Sequence, residues 1–271
     1  MSDVIRLAVL GDPLAYTLSP VLHRAGCGAL GFTCEAHALR TPPEALEATL
    51  HDLAARGFRG CNVTHPLKEP AFDQVARASV AAERARSVNT IAFRPEGWWG
   101  ETTDGPGFLD LLRELDRDAP AQRVLLLGAG GAARSLALAL EWAGCRDVRV
   151  SSRRPADTRY AWGEGLDPRF LGWRSAEEGV ALREATVVVN CTPLSGDEPP
   201  VPVGALAEGA LVIDLTYGPE LTPWVRAARD AGRHAVDGLG LLVHQARRSL
   251  SLWLGREVPV EPLAAAVGWP R

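Results

Sequence analysis

The sequence predicts an α/β protein of two domains, each built around a mainly parallel sheet. Three observations carry this. The chain has 271 residues, enough for about two hydrophobic cores. Short apolar runs recur along it: RVLLLG, TVVVNCTP and GALVIDLTY, none of them alternating with polar residues. Such runs read as strands covered on both faces, and helix-length segments separate them.

The elements follow in order. IRLAVLG (5–11) is a strand ending in glycine, and Ser19-Pro20 opens a helix with serine as the expected N-cap. CEAHALR (34–40) is strand-like. PPEALEATLHDLAARG (42–57) has proline at the start of a helix and glycine past its end. GCNVT (60–64) and SVNTIAFR (87–94) are further strands, and GWWG (97–100) reads as a turn. After the DRDAPAQ loop (116–122) comes a strand, a glycine turn and a long helix in RVLLLGAGGAARSLALALEWAGC (123–145). DVRVSSRR (147–154), TVVVNCTP (186–193) and GALVIDLTY (209–217) supply strands, and TPWVRAARDAG (222–232) a helix. From Gly240 onward the chain reads as mainly helical.

Composition narrows the function. Hydrophobic residues make up 46% and charged residues 23%, as in soluble globular proteins. A net charge of −4 gives no basic excess for a nucleic acid. No apolar run reaches the ~20 residues of a membrane span, and MSDVIRLAVLG lacks a signal-peptide layout. The five cysteines, at 27, 34, 61, 145 and 191, are odd in number and form no CxxC pair. That fits reduced thiols in a cytoplasm. The six histidines have no ligand spacing, so no metal is expected.

GAGGAAR (128–134) follows an apolar strand and opens a helix. Glycines there permit a tight turn and let backbone approach a pyrophosphate, which the helix N-terminus attracts. Gly128, Gly130 and Ala133 satisfy the GxGxxG/A pattern in its proper strand–turn–helix context. At the end of the next strand, an NAD site would place Asp or Glu. This chain has Ser151, Ser152, Arg153 and Arg154, a set that favours the 2′-phosphate of NADP.

Lys68, in NVTHPLK, is the only lysine; every other basic side chain among the 29 lysines and arginines is arginine. Arginine stays protonated at working pH, whereas a lysine amine can give up its proton. A lone lysine is therefore a candidate acid/base group. Around it the first half offers hydroxyls and amides at predicted strand ends: Thr17 and Ser19, Asn62 and Thr64, Asn89 and Thr90, Thr103 and Asp104. Such a set suits a polyhydroxylated substrate, with Asp104 placed to pair with Lys68.

GDPLAYTLSPVLH, NVTHPLK, SVNT, TTDG, GAGGAAR, DLTYGPELTPW and DGLGLLVHQA, in that order and nearly end to end, resemble the shikimate dehydrogenases. The resemblance implies a substrate domain from residues 1–104 plus 239–271, a Rossmann-like NADP domain from 105–238, and a cleft between them. It implies reduction of 3-dehydroshikimate to shikimate by a cytoplasmic monomer or homodimer. Lys68 and Asp104 match the catalytic positions. Thr17, Ser19, Thr64, Asn89, Tyr217 and Gln245 match those that bind substrate. Gly128, Ala129, Gly130, Gly131 and Ala132 match the pyrophosphate loop, and Ser152, Arg153 and Arg154 the 2′-phosphate region. Leu215 and Gly238 match the nicotinamide end. Four departures stand out: Thr17 for a serine, Asp157 for a second arginine, Thr102 for an asparagine and Leu241 for a methionine. Thr17 leaves quinate open as an alternative substrate, Asp157 leaves NAD open as a cofactor, and a non-catalytic NADP-binding regulator is the rival from another class.

Overall fold

The computed structural model describes residues 4–14, 16–163, 166–194 and 198–271. The chain forms two compact units, Met1–Gly107 with Leu242–Arg271, and Phe108–Leu241.

The first unit begins with β1 (Ile5–Gly11), α1 (Ser19–Ala29), β2 (Cys34–Arg40), α2 (Leu46–Ala55), β3 (Gly60–Val63) and α3 (Lys68–Phe72). It continues with β4 (Arg77–Ala78), α4 (Val80–Ala85), β5 (Thr90–Ala92), β6 (Trp99–Glu101) and the start of α5 (Asp104–Glu114). Its sheet has the order β2-β1-β3-β5-β6-β4. β1 pairs in parallel with β2 and β3, β4 in parallel with β6, while β5 runs antiparallel to β3 and β6. The direction of winding reverses between β1 and β3. Ligands of open α/β sheets bind outside the C-terminal strand ends at such a reversal. Leu10, Leu46, Leu50, Leu53, Cys61 and Ile91 anchor the core on one side of this sheet.

The second unit contains β7 (Arg123–Leu127), α6 (Gly131–Trp142), β8 (Asp147–Ser152), α7 (Pro155–Trp162), β9 (Arg169–Gly172) and α8 (Ala176–Glu184). Then come β10 (Val187–Asn190), β11 (Leu211–Asp214), α9 (Pro223–Asp230) and β12 (His234–Val236). The sheet order is β12-β11-β10-β7-β8-β9, and every ladder is parallel. Counted from β7, this is the doubly wound dinucleotide order. β10 is fully buried and β7 nearly so, which explains their unbroken apolar runs. α10 (Leu239–Leu254) leads the chain back into the first unit, where α11 (Glu261–Val267) packs on α1.

Two local expectations need correction. Ser19 is not the N-cap of α1: that position is Leu18, with no side-chain cap. Thr17 supplies the acceptor instead, its Oγ1 receiving the Ser19 N–H at 3.2 Å. GWWG is only partly a turn. Gly97 makes the turn at φ +119°, but Trp99 and Gly100 leave it as β6, paired with β5 and β4. Gly100 is there for space, since a Cβ would lie 2.8 Å from Val88 Cγ2 and 2.9 Å from Val75 Cγ2. Among the described residues, no helix is long and apolar enough to cross a membrane.

Candidate active site

In the first unit, the sheet reversal places Gly11 beside Thr64. A Cβ on Gly11 would come within 2.5 Å of Thr64 Cγ2, so the threonine side chain lies across the glycine at the end of β1. Thr17 and Ser19 follow the same strand and bond to each other, Thr17 Oγ1 donating to Ser19 Oγ at 3.3 Å.

A second group forms around Lys68, the first residue of α3. Lys68 Nζ donates to Asp104 Oδ2 at 2.6 Å, with the two side chains 19% and 9% exposed. The ammonium is thus largely withdrawn from water yet still reachable. Asp104 begins α5, and its other oxygen, Oδ1, accepts from Asn89 Nδ2 at 2.9 Å. Both carboxylate oxygens are therefore held. Asn89 also donates to Thr103 Oγ1 at 2.9 Å and, over a longer 3.5 Å, to Gln245 Oε1 from α10. Gly107 lets α5 and α10 come this close, since a Cβ there would stand 2.9 Å from the Gln245 nitrogen.

Behind this group lies a buried polar layer that sequence reasoning reaches only in part. Asn62 Nδ2 lies 3.0 Å from the Asn89 carbonyl oxygen, 2.9 Å from Thr90 Oγ1 and 3.0 Å from Ser249 Oγ. Asn62 Oδ1 meets His23 Nε2 at 2.9 Å. Asn62, Thr90 and Thr103 belong to the expected hydroxyl and amide set, but His23 and Ser249 lie outside it. Ser249 has one available signal: it sits four residues after Gln245, on the same face of a helix.

In the second unit, Gly128 ends β7 with φ +100°, and a Cβ there would meet Thr192 Cγ2 at 2.7 Å. Only glycine fits both the backbone and the space. Gly130 is the N-cap of α6 and opens onto space in which a Cβ would meet nothing within 4 Å. Gly131 and Ala132 form the helix's first turn, whose N–H groups have no partner within the helix. With Ala129, these residues form a turn that could hold an anion. Trp162 Nε1 donates to the Ala129 carbonyl at 3.3 Å and fixes the turn from behind.

Ser152 ends β8. Its Oγ accepts from the Arg154 N–H at 3.2 Å and pairs with Thr158 Oγ1 at 2.7 Å, shaping the start of α7. Arg153 and Arg154 are exposed beside it, as a 2′-phosphate requires. Leu215 and Gly238 are brought together: a Cβ on Gly238 would lie 2.2 Å from the Leu215 carbonyl oxygen. Buried Asp214 organises this corner, accepting from Asn190 Nδ2 at 2.9 Å, Thr216 Oγ1 at 2.8 Å and Thr222 Oγ1 at 2.8 Å. Burial raises its pKa, against the pull of those bonds. Tyr217 follows, half-buried, in this second unit.

The hydrogen-bonded group of expected site residues is thus Lys68, Asp104, Asn89 and Gln245. Thr17 and Ser19 form a separate pair, and Thr64 stands at the neighbouring strand end. Among the described residues, no cluster of three or more His, Cys, Asp or Glu could hold a metal, and the five cysteines are thiols, not disulfides.

Two family profiles match the chain. "Shikimate dehydrogenase substrate binding domain" covers residues 9–91, and "Shikimate 5'-dehydrogenase C-terminal domain" covers residues 238–267. A shikimate dehydrogenase (NADP(+)) of Moorella thermoacetica is 36% identical over 97% of this chain and 95% of its own. One of Xanthomonas campestris pv. campestris is 37% identical over 97% and 95%. The solved shikimate 5-dehydrogenase of Thermus thermophilus, in complex with NADP(H) and shikimate, superposes with a TM-score of 0.87. It is 34% identical, over 97% of this chain and 98% of that one.

Proposed function

The chain belongs to the shikimate dehydrogenase family, and from that premise we propose that it catalyses the reversible NADPH-dependent reduction of 3-dehydroshikimate to shikimate. The observation that carries this reading is the Lys68–Asp104 pair, 2.6 Å apart and held by Asn89.

In the proposed mechanism, residues 1–104 and 239–271 hold the substrate and residues 105–238 hold NADP. Thr17, Ser19, Thr64, Asn89, Tyr217 and Gln245 bind the substrate, with Thr17 at its carboxylate. The Gly128–Ala132 turn holds the pyrophosphate, Ser152, Arg153 and Arg154 the 2′-phosphate, and Leu215 and Gly238 border the nicotinamide. When bound, NADPH supplies the hydride. Lys68 Nζ gives a proton to the ketone oxygen as that oxygen gains charge, and takes it back in the reverse direction. Asp104 fixes the direction of the ammonium and balances its charge. Thr17 alone does not separate shikimate from quinate; the relatives, named shikimate dehydrogenases, favour shikimate. The substrate is a small molecule, and neither nucleic acid nor membrane takes part. The enzyme works in the cytoplasm as a monomer or homodimer.

The test is initial rates of the purified protein with shikimate and with quinate, each with NADP and with NAD. Shikimate with NADP should exceed every other combination in kcat/KM. Equal or faster turnover of quinate, or equal use of NAD, would replace this reading with a relaxed-specificity relative. Cofactor binding without turnover would make the chain a regulator.

A further inference from the structure

Asn89 and Asn62 are amides whose two ends differ only in which donates. The backbone settles both. The Thr103 N–H donates to Asn89 Oδ1 at 2.8 Å, so the Asn89 NH2 must face Asp104. The Asn89 carbonyl accepts from Asn62 Nδ2 at 3.0 Å, so the Asn62 oxygen must face His23. That oxygen in turn makes His23 carry its proton on Nε2.

Two hydroxyls bridge these amides. Thr90 Oγ1 accepts from Asn62 Nδ2 at 2.9 Å, donates to Asn89 Oδ1 at 3.0 Å, and lies 2.8 Å from Ser249 Oγ. Ser249 has one proton; since Thr90 gives its own to Asn89, the proton between the two hydroxyls, 2.8 Å apart, comes from Ser249, whose oxygen also lies 3.0 Å from the Gln245 carbonyl. Its lone pairs then face Asn62 at 3.0 Å and, more distantly, Thr103 at 3.2 Å. Thr90 and Ser249 are 0% exposed, so water cannot stand in for either hydroxyl. Among the described residues, neither bonds Lys68 or Asp104; both reach them through Asn89 and, by longer contacts, through Thr103, the residue before Asp104.

We propose that Thr90 and Ser249 are positioning residues for the Lys68–Asp104 pair: their hydroxyls lock the Asn89 amide, and Asn89 holds Asp104 against Lys68. The inference rests on the reaction assigned above. Without the Thr90 hydroxyl, Asn89 Oδ1 keeps the N–H and the hydroxyl of Thr103 but loses its third donor. The amide is then held from the Thr103 side alone, and the carboxylate that aims the ammonium is held less firmly.

The experiment uses the full chain with Thr90→Val, which keeps shape and loses the hydroxyl, Thr90→Ser, which keeps the hydroxyl, and Ser249→Ala. Because Lys68 is the only lysine, lysine-selective 13C labelling gives one Cε resonance, which reports the ion pair without substrate. In Thr90→Val and Ser249→Ala, kcat for shikimate should fall about tenfold with KM within about threefold, and the Lys68 resonance should move. Thr90→Ser should return both to wild type. The proposal is overturned if Thr90→Val and Ser249→Ala keep kcat within about twofold with an unmoved resonance, or if Thr90→Ser is as impaired as Thr90→Val. Should Thr90→Val not fold, Ser249→Ala decides alone, since alanine suits a helix interior. A wild-type protein inactive on shikimate defeats the assigned reaction instead, and the resonance still tests the positioning.

Discussion

Arg154 Nε lies 3.6 Å from Asp157 Oδ2, an ion pair within the first turn of α7. Asp157 is thereby turned toward an arginine of the chain itself, not toward the ribose hydroxyl that an NAD-binding acid would take. The side chains are 83% and 69% exposed, so the pair contributes under about 1 kcal/mol. Asp157→Asn should free Arg154 and lower KM for NADP about two- to fivefold, leaving KM for NAD unchanged. Steady-state kinetics with both cofactors checks this. An equal gain for NAD would show that Asp157 does not set the preference.

Lys68→Arg keeps the positive charge and loses the ability to release a proton. Turnover of shikimate should fall by about a hundredfold or more, with NADP binding unaffected. Stopped-flow or steady-state rates suffice. A variant within about twofold of wild type would remove Lys68 from the proton-transfer step.

Gly128→Ala tests the glycine turn. The backbone there has φ +100°, and the new Cβ would strike Thr192 Cγ2 at 2.7 Å. Binding of NADP, followed by isothermal titration calorimetry, should weaken at least about tenfold, because the loop must shift to admit the methyl. Gly130→Ala meets no protein atom, so any loss there reports crowding of the cofactor alone.

His23 gives a pH dependence to stability. Burial lowers its pKa from 6.5 to about 4; the bond to Asn62 opposes this and Arg24 adds to it. Between those values the unfolded chain takes a proton that the native imidazole refuses. Stability is therefore lost as pH falls through 6.5 toward 4, by about 3 kcal/mol in all. Denaturant titrations from about pH 7 to about pH 5 should show a steeper decline for wild type than for His23→Gln. Parallel slopes would mean that other groups carry the dependence.

Much of this architecture is legible in the amino-acid sequence alone. The apolar runs at β7, β10 and β11 announce buried parallel strands because burial on both faces removes alternation. The 128–134 turn is readable because glycine spacing and helix start are local. Lys68 stands out through composition. What stays hidden depends on distant pairing. Ser249 meets Asn62 across 187 positions, and its spacing from Gln245 places it on the right helix face without naming that partner. β9 escapes notice because RFLG carries little pattern in four residues. Ser19 reads as a cap because Ser-Pro usually marks one; the hydroxyl of Thr17, two residues earlier, takes the N–H first.

The first unit is made from both ends of the chain, with α10 delivering Gln245 and Ser249 into its polar layer. The second unit is one uninterrupted stretch, Phe108–Leu241. On the ribosome, therefore, the later stretch can finish folding while the earlier one waits. Residues 1–107 emerge first, yet Asn62, Thr90 and Thr103 lack the Ser249 hydroxyl until α10 has been translated. This connectivity permits the reverse of the usual order, in which N-terminal domains mature first. The second unit can thus be complete while Lys68, Asp104 and Asn89 still lack Gln245 and Ser249 of α10.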